Sequence, residues 1–83
     1  MIDLKKLKIE WIDGSIKEID FAKELAQVIF QSTQSVAEHS LSLELYKSGA
    51  IEDTQENREI VLNYTEKHFT AFVQIAVKEA LKK

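Results

Sequence analysis

The side chains best suited to move protons or bind a metal near neutral pH are His39 and His68, the two histidines of this 83-residue chain. A zinc-type centre needs several imidazoles, thiolates or carboxylates converging, commonly two histidines one helical turn apart. Neither histidine has such a neighbour. The sequence holds no His-x-x-x-His, His-Glu-x-x-His or Glu-x-x-His spacing and no cysteine. His39 lies between Val36 and Leu43, and His68 lies beside Phe72, which points to partly buried packing histidines with one hydrogen-bonded nitrogen. Ser32, Ser35, Ser40, Ser42 and Ser48 are among the serines on offer as nucleophiles, and none stands in a G-x-S-x-G elbow. There is no Gly-rich phosphate loop. Glu52, Asp53, Glu56 and Glu59 suit the start of a helix better than acid–base work. These residues argue against an enzyme and call for no cofactor and no metal.

The element that must position everything else is the last third of the chain. Gly49 closes whatever precedes it, Asp53 offers a carboxylate to a first turn, and Glu56 completes a D-x-x-E capping box. Acids crowd the start while Lys78, Lys82 and Lys83 crowd the end, an order that suits the helix dipole. With no Gly or Pro to interrupt it, the pattern predicts one helix from Asp53 to Leu81. At about 100° per residue its apolar side chains, Val61 and Phe72 among them, fill an arc roughly 200° wide, about twice what an ordinary surface helix buries. Such a helix would be ~42 Å long, against ~30 Å for a globule of this size. A second copy of the chain is the simplest cover. The sequence thus predicts a homodimer through Phe69, Phe72, Val73, Ile75 and Val77.

Ahead of that helix, residues 7–11 and 16–21 alternate apolar with charged around Asp13-Gly14, a hairpin signal. A two-residue turn would mix the faces. A three-residue loop, Ile12-Asp13-Gly14 with Gly14 left-handed, pairs Leu7 with Ile19 and Lys8 with Glu18. Leu7, Ile9, Trp11, Ile19 and Phe21 then share one face, which predicts a largely buried Trp11. A lone hairpin is marginal in water, so it must lie on helices or pair edge to edge with another copy. Asp20 is placed to cap a helix whose Phe21, Leu25, Val28 and Ile29 share a face. The polar run Gln31–Ser35 favours a break, with Ser35 capping a second helix to Ser48, over one continuous helix from Phe21 to Lys47. In that second helix Val36, His39, Leu43 and Tyr46 form one seam, and Leu41 and Leu45 another.

The net charge is −3 with acids and bases interspersed, which argues against nucleic acid as a partner. A nucleic-acid-binding regulator would need a basic stripe from Lys5, Lys6, Lys8 and Lys17. A small-molecule binder would need a pocket between helices near His39, Tyr46 and His68. The charged N-terminus is no signal peptide and no run approaches ~18 apolar residues, so a cytoplasmic protein without membrane contact is expected. A chain this small without disulfides commonly gains support from oligomerisation.

The hairpin WIDGSIKEIDF, the helix AKELAQVIF, the YKSG stop and the stretch ENREIVLNY…FTAFVQIAVKEAL have a layout that resembles small, mostly uncharacterised proteins encoded among prophage and mobile-element genes. The resemblance implies an accessory or assembly role and assigns no catalytic residue. The expectation is a single mostly helical α+β domain over residues 1–83. An N-terminal β-hairpin over about 7–20 precedes two or three helices over 21–83, the last one long. It would work as a structural or interaction protein, with itself or another protein as partner.

Overall fold

Residues 1–82 are described by a computed structural model. The chain opens on β1 (Ile2–Asp3), after which β2 (Leu7–Glu10) and β3 (Ile16–Ile19) form the expected hairpin. Its register is the one that keeps the faces separate, with Leu7 opposite Ile19, Lys8 opposite Glu18 and Ile9 opposite Lys17. Gly14, at φ 85°, supplies the left-handed residue this loop needs. Its N–H donates to the Trp11 carbonyl, and the Trp11 N–H donates to the Ser15 carbonyl, both at 2.9 Å. Asp13 Oδ1 accepts from the Ser15 hydroxyl at 2.6 Å and the Ser15 N–H at 3.0 Å. Those two bonds fix the hairpin tip and hold the Asp13 carboxyl below the usual carboxylate range.

Capping chemistry then divides the middle of the chain as the polar run suggests. Asp20 accepts from the Lys23 N–H and starts α1 (Phe21–Ser32), while Ser35 accepts from the Glu38 N–H and starts α2 (Val36–Ser48). Gly49, at φ 74°, ends α2 with its N–H on the Leu45 carbonyl. The chain then turns into β4 (Ala50–Ile51), which pairs antiparallel with β1, Ile2 opposite Ile51. This second small sheet escapes sequence reasoning, because two-residue strands are too short to show a period. It matters for the core: Leu4, just after β1, is fully buried, its N–H on the Gly49 carbonyl and its carbonyl taking the Ala22 N–H, both at 3.0 Å.

The last third corrects the prediction of one long helix. It is two helices, α3 (Gln55–His68) and α4 (Ala71–Leu81), separated by Phe69 and Thr70 in extended conformation. The last helix has 11 residues and is not long. An arc as wide as the one predicted cannot be covered by a surface on one side only. Breaking the helix lets α4 fold back, so that Val73, Ala76, Val77 and Leu81 join the same core as Val61 of α3. Phe69 sits in the break with its ring edge-on to Phe21, centroids 4.8 Å apart. Gln74 Nε2 donates to the carbonyl of Phe69 at 2.9 Å. The cap of α3 is Thr54, whose hydroxyl accepts from the Asn57 N–H at 3.1 Å; Asp53 does not cap it. Asp53 instead takes both arms of Arg58, at 2.6 and 2.9 Å. Arg58 also donates to the Leu81 carbonyl, tying the start of α3 to the end of α4. Each partner stabilises the charged form of the other, so the Asp53 carboxyl is held low and the Arg58 guanidinium high.

One contiguous core gathers residues from every element, with Phe21, Leu25, Ile29, Leu45 and Val77 among its fully buried members. Of the predicted face of α1, Phe21, Leu25 and Ile29 are buried and Val28 is half-buried. Of the two seams of α2, that of Leu41 and Leu45 faces inward, whereas Val36, Leu43 and Tyr46 are exposed.

Candidate interaction surface

Helix α4 has two apolar sides with different fates. Val77 is fully buried and Val73 is 8% exposed, whereas Phe72 and Ile75 remain 37% and 63% exposed. Beside Phe72 stands Trp11, at the end of β2, with ring centroids 4.9 Å apart. The prediction of a largely buried Trp11 is corrected, since 39% of it is exposed. It shares a face with buried Leu7 and Ile9, but it sits one step beyond β2 and meets the ring of Phe72 in the first turn of α4. Lys17 Nζ lies 5.4 Å from the centre of the indole, within cation–π reach. Exposed Ile12 and Ile16 complete the surround of an open groove of about 580 Å³, whose rim carries Lys8, Glu10 and Glu79.

The groove is bordered by an unpaired strand edge. Among the described residues β2 pairs only with β3. The Trp11 N–H bond to Ser15 sets the alternation, so Ile9 with Lys17 and Leu7 with Ile19 are the pairs that exchange hydrogen bonds. The N–H and C=O groups of Lys8 and Glu10 therefore point away from β3, to the free edge. Both residues line the groove. An apolar wall beside a free edge of backbone donors and acceptors is the arrangement that accepts an additional strand.

The structure sorts the sequence-predicted interface into two sets. Phe72 and Ile75 face outward and line the groove, Phe69 is half-buried on Phe21, and Val73 and Val77 belong to the chain's own core. The lysines proposed as a basic stripe are not gathered into one. The side chain of Lys5 lies over Gly49, Lys8 faces Glu18 across the ladder, and Lys17 covers Trp11. The histidines are exposed and on different helices, His39 packing on Phe30 at 4.9 Å and His68 stacking on Tyr64 at 6.0 Å. This corrects the expectation of partly buried histidines. Tyr46 borders a second, smaller hollow of about 320 Å³ with Phe30 and Leu43, and neither histidine lines it.

Sequence reasoning missed Ile12 and Ile16; an edge of the hairpin open to another copy was one of its two alternatives. A signal for Ile16 was present, because in the preferred register it is the one apolar residue among Lys8, Glu10 and Glu18 on the polar face of the hairpin.

Away from the groove, Glu38 Oε1 accepts from the Tyr64 hydroxyl at 2.6 Å and the Thr33 hydroxyl at 2.8 Å. This joins the end of α1, the start of α2 and the middle of α3. The bonds hold the Glu38 carboxyl below its usual range; burial and the same carboxylate push the Tyr64 phenol up. Among the described residues no three His, Cys, Asp or Glu side chains converge as a metal site, and no helix is long and apolar enough to cross a membrane. In comparisons with protein-family models, curated proteins and solved structures, the chain matches none.

Proposed function

We propose that the chain is a small cytoplasmic interaction protein, without catalysis of its own, whose working surface is the groove between β2 and α4. The observation that carries this is the convergence of Trp11, Ile12, Ile16, Phe72 and Ile75, all exposed, on one hollow that ends at an unpaired strand edge. Clustered exposed apolar side chains rimmed by charge mark protein contacts more often than bare surface, and tryptophan is enriched where contacts carry affinity. An accessory or assembly role, as the layout resemblance implies, agrees with this. Nucleic acid finds less support, because carboxylates of Glu10 and Glu18 alternate with the lysines of the hairpin.

The test places a photo-cross-linking amino acid at Ile12 and, as a control, at Gln31, and irradiates cells producing the protein. A covalent polypeptide adduct from position 12, absent from position 31, is the expected result. No polypeptide adduct from position 12 would overturn the proposal. The mass of the adduct reports the partner: twice the chain for a second copy, any other value for a different polypeptide.

A further inference from the structure

We infer that the occupant of the groove is a second copy of the chain, added edge to edge along β2 with a two-fold axis at Ile9. The inference rests on the interaction reading of the groove and specifies its partner. A two-fold axis perpendicular to an antiparallel sheet must pass between a residue and its own symmetry mate, because hydrogen-bonded and non-bonded pairs alternate along the ladder. On the free edge of β2 the bonding residues are Lys8 and Glu10, and Ile9 is not one. An axis at Ile9 therefore makes a non-bonded pair of the two Ile9 residues. Flanking it come two hydrogen-bonded pairs, Lys8 with the partner's Glu10 and Glu10 with the partner's Lys8.

This is the centre within either strand that opposes unlike charges. An axis at Lys8 or Glu10 sets two like charges directly opposite, which is unfavourable. The free edge of β3 has the same defect, since its central residues are Lys17 and Glu18. The Ile9 register also brings Trp11 opposite the partner's Leu7. Because the axis is perpendicular to the sheet, both copies of α4 lie on the same face of the resulting four-stranded sheet. The exposed Phe72 and Ile75 of each copy then face the partner across the axis, which is the contact the free chain leaves in water.

Sedimentation equilibrium of the wild type, Lys8→Glu, Glu10→Lys and the double exchange tests this. Both side chains are exposed on the strand surface; Lys8→Glu also sets a carboxylate opposite Glu18 within the hairpin, and circular dichroism checks that each variant retains the fold. The expected result is a wild-type dimer. Each single exchange replaces two opposed pairs by two like-charge pairs and raises the dissociation constant about tenfold. The double exchange restores wild-type affinity. Amide exchange supplies a second readout: the N–H groups of Lys8 and Glu10 should be protected in the dimer and exposed on dilution. A wild type that stays monomeric at high micromolar concentration overturns the second-copy inference. So does a dimer indifferent to the single exchanges, or one that leaves those two amides unprotected. In each case the Ile12 cross-link separately decides whether the groove binds anything.

Discussion

Among single residues, Glu38 has the most to say about stability, since one carboxylate oxygen takes two hydroxyl donors from different helices. Its folded pKa is depressed by the bonds from Tyr64 and Thr33. The stability it contributes is present above the unfolded value of about 4.3 and is lost as pH falls through the folded one. Tyr64 works in the opposite direction. Its raised pKa means stability is full below the ordinary value of about 10 and declines as pH rises through it. Tyr64→Phe should cost about 1 kcal/mol at pH 7, with the deficit shrinking toward pH 3 as Glu38 protonates. Urea unfolding at both pH values measures this, and an equal deficit at the two would show that the bond does not draw its strength from the Glu38 charge. Neither partner is legible in sequence, because Glu38 and Tyr64 lie on different helices that only tertiary packing brings together. The histidines mislead in a related way. Their apolar neighbours in sequence suggest burial, yet both stand on the exposed sides of their helices.

At the scale of elements, what local chemistry decides is legible and what global packing decides is not. The hairpin register follows from alternation together with the Gly14 loop, and α1 and α2 follow from Asp20, Ser35 and Gly49. The break at Phe69-Thr70 has no Gly or Pro to announce it, only a run of weak helix formers, and Thr70 makes no side-chain cap bond. Its cause lies in the need to cover both sides of the arc, which a helical wheel shows as excess width without saying how it will be met. Three outcomes follow. Gly49→Ala should lose about 1–2 kcal/mol in urea unfolding from its positive φ, and Lys5→Ala in the same chain should relieve only the steric part, because a Cβ at 49 would meet the Lys5 stem. Arg58→Gln should speed amide exchange in the last turn of α4 selectively, since it frees the Leu81 carbonyl from its clasp. Val77→Glu should unfold much of the protein, losing more than about 3 kcal/mol, while Ile75→Asp, at dilutions where the chain is monomeric, stays within about 0.5 kcal/mol of wild type, because within one chain only the first buries a charge.

For the whole molecule, the wide apolar arc that suggested a dimer is mostly consumed by the fold itself, and a narrower surface remains. Two of the residues named from sequence, Phe72 and Ile75, belong to that surface; the hairpin supplies the rest through Trp11, Ile12 and Ile16. Their convergence was hidden because it depends on α4 folding back beside β2. The sole tryptophan sits on this groove and is a built-in reporter of its occupation. Trp11 emission, recorded from nanomolar to high micromolar protein, is the most direct measurement. The maximum should move to shorter wavelength as concentration rises, with a midpoint at the sedimentation dissociation constant, and should not move in Ile75→Asp. A wild-type maximum that holds one wavelength across that range would contradict the account.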